Sequence, residues 1–183
     1  MAKVVILGGN ARSGKTTLAY KLIKKGYNRI SFDNIYSAIE EGLNIKIDEL
    51  SNDLKFAFFE NIVNKSLEEA EIEEIDFVID MYDFLPSDID RLQNKDKVKV
   101  YFLAYPNCSL DEIKFNVINY SKPTDWIAQV NEDYLNSCIE RFYERNTLLV
   151  EECDKYGFNL IDTKTGENRN VVLDQLFNEI ITS

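Results

Sequence analysis

The chain has 183 residues, a length suited to one domain with a sizeable core, and its 45% hydrophobic and 29% charged residues mark it as globular. A net charge of −11 and a pI near 4.6 argue against a general binder of nucleic acid or anionic membrane, which would carry a basic footprint. There is no histidine, and Cys108, Cys138 and Cys153 form no C-x-x-C pair, which argues against a zinc site, a His-based nucleophile and a disulfide framework, and fits a reducing cytosol.

Residues 3–9, KVVILGG, form a short β-branched run of the length expected for a buried parallel strand, predicted over 3–7. The run is too short for a signal peptide, and no stretch of the chain approaches the length of a membrane-spanning helix. It leads directly into G-N-A-R-S-G-K-T at 9–16, a full match to the phosphate-binding loop G-x-x-x-x-G-K-[ST]. Glycines let the backbone curl around an anion, and successive N–H groups then point at phosphate oxygens. Gly9, Asn10, Ala11, Arg12, Ser13, Gly14, Lys15, Thr16 and Thr17 are therefore the expected nucleotide cradle. Lys15 is expected to reach the β- and γ-phosphates of ATP, and the Thr16 hydroxyl to hold Mg²⁺. The helix that follows carries Leu18, Leu22 and Ile23 at helical spacing, stops at Gly26, and offers its positive end to the anion.

A second strand is predicted at 28–32 and a helix at 34–41, with Asp33 at their junction. Asp33 is placed to orient or deprotonate an acceptor hydroxyl, or else to cap the helix. A long helix is predicted over 48–74, with Leu50, Leu54, Phe58, Ile62 and Leu67 as its apolar stripe. The third strand, Phe77–Asp80, ends in an aspartate. An aspartate at a strand end near the phosphate loop can hold the Mg²⁺ shell, and Asp80 is the candidate. Asp83, just beyond, is either a substrate contact or a solvated loop residue. Strands at 98–104 and 158–161 and helices over 133–156 and from 168 onward complete the pattern. In the last two, Leu135, Ile139, Phe142, Leu148 and Leu149, then Val172, Leu176 and Ile180, are expected to face inward. Apolar runs alternating with helical patterns define an α/β fold with a parallel sheet.

Taken together, GGNARSGKTT, ISFDNIYSAI, FVIDMYDFLP, VKVYFLAYP and the C-terminal segment from KYGFNLIDTK resemble the P-loop kinases of the adenylate-kinase-like group over nearly the whole chain. The resemblance implies a three-layer P-loop NTPase fold with a five-stranded parallel sheet ordered 2-3-1-4-5 and helices on both faces. It implies a single domain over 1–183, a substrate-side helical region at 33–75 and a lid region at 106–130. It further implies an ATP- and Mg²⁺-dependent phosphotransferase acting on a small-molecule acceptor. Arg141 and Arg145, i and i+4 on one helix, become candidates for stabilising charge on the transferred group, and Thr163 for the adenine side.

The sequence departs from nucleoside monophosphate kinases in one respect. No arginine occurs between Arg29 and Arg91, where those enzymes hold the acceptor phosphate, and only Lys46, Lys55 and Lys65 bring positive charge there. This favours a neutral, hydroxyl-bearing acceptor, as in the shikimate, gluconate and chloramphenicol kinases, with a nucleoside or nucleotide as the other possibility. A GTPase switch is disfavoured. Residues 94–97 read N-K-D-K rather than N-K-x-D, and Asp80 is not followed by the glycine of D-x-x-G. A regulatory or toxin-like P-loop protein without kinase activity is the alternative.

Overall fold

Strand β1 (Val4–Gly9) is buried along its whole length, which is why its sequence is a continuous apolar run rather than an alternating one. It lies at the centre of a five-stranded sheet ordered β2-β3-β1-β4-β5, with β2 (Asn28–Ser31), β3 (Phe77–Asp80), β4 (Lys99–Ala104) and β5 (Asn159–Asp162). Every pairing is parallel, and Leu7 sits opposite both Asp80 and Tyr101. The computed structural model describes residues 3–121, 123, 125–163 and 168–182. Among these, the fold is the α/β P-loop kinase fold expected from the sequence, with its strand order.

The two faces of the sheet carry separate cores. Val5, Leu7, Val78 and Leu103 pack against Leu18 and Leu22 of α1 (Lys15–Ile23) and Leu173, Leu176 and Ile180 of α7 (Asn168–Thr182). On the other face, Ile6, Ile79 and Phe102 meet α2 (Phe32–Leu43), α3 (Asn52–Glu73), Ile89 of α4 (Pro86–Asp90) and Leu149 of α6 (Glu132–Tyr156). A third cluster joins Ile113 and Val117 of α5 (Leu110–Tyr120) to Ile127, Ile139 and Phe142. The region expected as a lid thus contains a helix with its own small core on α6. No described helix is long and apolar enough to cross a membrane.

Several sequence expectations shift. The helix expected over 48–74 is broken: a 3-10 turn, Ile47–Glu49, precedes α3, and Leu50 is extended. Ser51 starts α3 by accepting the Leu54 amide at 3.2 Å on its hydroxyl, satisfying a donor that has no partner inside the helix. The phase differs too. Phe56, Phe59, Val63 and Ala70 are buried, whereas Leu54 is 55% exposed and Phe58 lies at the surface. Phe59 stacks on Phe84 with ring centroids 4.3 Å apart, and this contact fixes the rotation of α3. In α6, Leu149 is inward and Leu148 is not; in α7, Leu173 is fully buried and Val172 only partly.

Candidate active site

The glycine loop joins β1 to α1 at the carboxyl edge of the sheet, where parallel α/β folds bind ligands. Gly9 has φ +122°, and a Cβ there would lie 2.1 Å from the Leu103 carbonyl oxygen, so only glycine lets the loop leave β1 beside β4. Gly14 holds φ +99° at the head of α1, against Leu173. Asn10 and Ser13 are fully buried. The Asn10 amide donates to the Phe142 carbonyl at 2.6 Å and to Asn146 Oδ1 at 2.8 Å, while its own oxygen accepts the Ala11 amide at 2.8 Å. Asn146 also pairs with both backbone groups of Tyr105, at 3.3 Å each, and the Tyr105 hydroxyl donates to the Ala11 carbonyl at 2.8 Å. A buried polar clasp therefore fastens the loop to α6 and to the end of β4.

Arg12 leaves the loop in the left-handed region, φ +63°. Its guanidinium pairs with Asp125 at 2.9 Å and donates to Ser121 Oγ at 2.6 Å, tying the loop to the segment after α5. Arg169, at the start of α7, donates to the Arg12 carbonyl at 3.2 Å, and its Nε is buried without a partner among the described residues. Burial, then the neighbouring Arg12 charge, lowers the Arg169 pKa. Arg12, Asp125 and Arg169 line a cleft of about 420 Å³ with Gly14, Lys15, Thr16 and Thr17, and Tyr20 and Tyr120 close its sides. Its floor is the loop and its rim is cationic, which suits a phosphate chain.

Lys15 folds back on the loop, donating to the Asn10 carbonyl at 2.6 Å and the Gly9 carbonyl at 3.4 Å. Burial lowers its pKa from 10.5 to about 8; Asp80 and Asp33 oppose the shift and Arg145 adds to it. The Thr16 hydroxyl donates to Asp80 Oδ2 at 3.1 Å, and the Arg29 guanidinium reaches the same oxygen at 2.6 Å. Both bonds end on Oδ2. A hydroxyl and a carboxylate side by side at a phosphate loop are hard oxygen donors of the kind Mg²⁺ takes, so Thr16 and Asp80 fit that ion.

Asp33 lies in the first turn of α2, beyond Ser31, which is the residue at the N-cap position and makes no side-chain cap bond. Asp33 is therefore not the cap; it is exposed, and its carboxylate lies near Lys15. Desolvation on its protein side raises its pKa; Lys15 opposes this, Asp80 adds to it and Arg29 opposes. Asp83 behaves alike: burial and the charge of Asp33 raise its pKa, Arg145 and Lys55 oppose, and Asp48 adds. Arg145 stacks over the Tyr82 ring at 4.1 Å and donates to the Tyr82 carbonyl, which places it beside Lys15 and Asp83.

Arg141 turns elsewhere. It donates to Cys138 Sγ at 3.0 Å and lies over Tyr134 of its own helix at 5.7 Å, exposed to solvent. Thr163 is fully buried, and its amide and hydroxyl both donate to the Ala104 carbonyl, at 2.8 and 2.9 Å, which extends the end of β4. Residues 164–166 of the loop after β5 (162–166), expected on the adenine side, and Lys122 of the expected lid lie outside the described residues. Lys114, the other lid lysine, donates to Asn136 at 2.8 Å on α6. The structure thus gathers Asp33, Asp80 and Arg145 around Lys15, with Thr16 bonded to Asp80, and leaves Arg141 and Thr163 apart from them.

Sequence reasoning passed over Arg29, Asn146 and Arg169. Only Asn146 left a readable signal: it occupies an inward position of α6 between Phe142 and Leu149, where a polar residue must find buried partners.

The fold and this cleft define the chain as having the architecture of the P-loop kinases of the adenylate-kinase-like group. Two solved structures are similar to it over nearly their full lengths. The shikimate kinase from Acinetobacter baumannii, solved in complex with shikimate, superposes with a TM-score of 0.55 at 13% identity, covering 100% of this chain and 96% of the other. The shikimate kinase from Bacteroides thetaiotaomicron gives 0.54 at 20% identity, with 99% of each chain covered. No family model and no curated protein matches the sequence.

Proposed function

We propose that the protein is an ATP-dependent phosphotransferase that moves the γ-phosphoryl group to a hydroxyl of a small molecule. The observation that carries this reading is the convergence of Lys15, Thr16, Asp80, Asp33 and Arg145 at the carboxyl end of β1, β3 and β2. The loop amides and Lys15 bind the phosphate chain, for which Lys15 must leave the Asn10 carbonyl. Thr16 and Asp80 would hold Mg²⁺, which would supply charge neutralisation to the phosphate chain. Asp33 receives or orients the acceptor hydroxyl, and its raised pKa brings it closer to the basicity a proton acceptor needs. Arg145, already desolvated, stabilises charge on the phosphoryl group in flight. The segment after α5, held through Arg12, excludes water. The likeness to shikimate kinases supports the class of reaction; the acceptor is chosen by residues of this chain.

The test is phosphoryl transfer from radiolabelled ATP with Mg²⁺ to a panel of hydroxylated metabolites, beside calorimetric ATP binding. Asp33→Asn is expected to reduce transfer far more than ATP affinity. Equal losses in both would assign Asp33 a structural or metal role. ATP binding with no transfer to any acceptor would favour a regulatory nucleotide-binding protein, and no binding of any purine triphosphate would end the reading.

A further inference from the structure

The acceptor side of the cleft is built on an aromatic floor. Phe32 meets Phe84 edge to face at 5.8 Å and Phe59 at 5.3 Å, while Phe59 stacks on Phe84. Asp33 follows Phe32 and Asp83 precedes Phe84, so the two carboxylates rise from neighbouring strand ends over the same floor. Both are exposed, and neither has a hydrogen-bond or ion-pair partner among the described residues. Asp48, from the turn before α3, lies close enough to Asp83 to act on it. Near them is Tyr36, only 9% exposed, whose hydroxyl has no partner among the described residues and senses the Asp83 charge. A buried hydroxyl without a partner is costly, and a ligand group seated at Asp83 would supply one.

The cations nearby are mostly committed. Lys46 pairs with Glu49 and Lys65 with Glu68, each on its own turn of helix. Arg91 pairs with Asp53 and Asp88 and lies over Phe56 at 4.1 Å. Arg29 is held by Asp80, and Arg145 by Tyr82. Lys15 and Arg145 act on Asp33 and Asp83, but the phosphotransferase reading commits both to the phosphate chain; among the described residues Lys55 is the other cation acting on Asp83. A magnesium-bound ATP in the adjoining cleft adds further negative charge, so an anionic acceptor would be repelled from both sides.

We propose that the acceptor is a small hydroxylated amine, such as an amino alcohol, aminocyclitol or amino sugar, whose ammonium group sits at Asp83 while its neighbouring hydroxyl faces Asp33. This rests on the phosphotransferase reading and adds the charge of the substrate. In the transfer, the acceptor oxygen bonds to the γ-phosphorus as the bond to the bridging β-oxygen breaks. ADP leaves, and the hydroxyl proton passes to Asp33. The ammonium at Asp83 stays protonated throughout.

The test uses matched sets sharing a skeleton: glucosamine, glucose and glucuronate; streptamine, inositol and quinate; serinol, glycerol and glycerate. Binding to the full chain loaded with magnesium and a non-hydrolysable ATP analogue is measured alongside transfer from ATP. The amine member of at least one set is expected to bind about tenfold or more tightly than its neutral partner, with the carboxylate member weakest. Rising salt should narrow the gap. Asp83→Asn, a near-isosteric change at an exposed position, should abolish the preference, and Asp83→Glu should restore part of it. Equal binding of amine and neutral members, a preference for the carboxylate, or no bound amine in a protein that binds ATP overturns the proposal and leaves the kinase reading standing. Absence of ATP binding removes both.

Discussion

Replacing Lys15 with methionine should stabilise the nucleotide-free protein while destroying its affinity for ATP. Burial lowers the Lys15 pKa from 10.5 to about 8, so at pH 7 the folded chain carries a charge it would rather shed. The gap between 10.5 and about 8, at 1.36 kcal/mol per pKa unit, corresponds to about 3 kcal/mol of lost stability. The ammonium also donates to the Asn10 carbonyl at 2.6 Å, a bond that offsets on the order of 1 kcal/mol. That carbonyl keeps the Ser13 hydroxyl at 2.8 Å after the substitution, so it is not orphaned. The net gain for Lys15→Met is therefore about 2 kcal/mol at pH 7, or a rise in Tm of roughly 4–8 °C for a domain of this size. The native protein binds fewer protons than the unfolded chain between pH 8 and 10.5. Its stability from this group is lowest below pH 8 and rises through that window. The variant lacks this contribution, so the two should converge in urea titrations as pH rises. A variant less stable than the parent at pH 7, with the same gap at pH 10, would refute the reasoning. Calorimetry should find no ATP binding by the variant at either pH.

Arg145→Ala should lower the rate of phosphoryl transfer by roughly 100-fold or more with little change in ATP affinity, whereas Arg141→Ala, whose guanidinium stays on its own helix, should change turnover less than about twofold. Steady-state kinetics of both variants separates the two arginines, and comparable losses would put Arg141 back in the site. Gly9→Ala drives a Cβ to 2.1 Å from the Leu103 carbonyl oxygen and 2.6 Å from the Leu103 amide, with φ at +122°. Backbone cannot yield as a side chain would, so a loss of roughly 3 kcal/mol or more is expected in denaturant melts, together with loss of ATP binding. Asn146→Ala strips partners from Asn10 and from both backbone groups of Tyr105 and should cost about 2–3 kcal/mol, read by the same melts.

The sheet was legible because its inner strands β1, β3 and β4 are short, largely apolar and buried runs, and two of them lead into candidate site groups: the glycine loop after β1 and Asp80 at the end of β3. Helix phase was harder to read. In 52–63 the apolar residues Leu54, Phe56, Phe58, Phe59, Ile62 and Val63 make two overlapping stripes, and sequence spacing does not choose between them. Docking chooses, through Phe59 on Phe84 and Phe32. The same limit governs the arginines. The i, i+4 spacing of Arg141 and Arg145 puts them on one broad face, yet only Arg145 is level with the Tyr82 carbonyl across the cleft. Arg29 was unreadable for another reason. Its role depends on β2 lying beside β3 with Ser31 opposite Asp80, a long-range register that no local pattern encodes.

For an acidic chain to grip a polyanion, as proposed, its charges must be separated, and the strand order does this. The loop after β1 has β4 on one side and β3 on the other. Toward β4 and β5 it meets Arg12 and Arg169. Toward β3 and β2 it meets Asp80, Asp83 and Asp33, because these are the strands whose ends carry aspartates. Lys15 stands at the boundary. Its pKa is raised by the carboxylates on one side and lowered by burial and by Arg145. Arg29, reaching from β2 to Asp80, keeps the carboxylate nearest the loop from adding to the repulsion a phosphate chain would meet. The net charge of −11 is thus no obstacle to nucleotide binding: charges far from the cleft are screened within about 8–10 Å, and the local field of loop, helix and lysine decides.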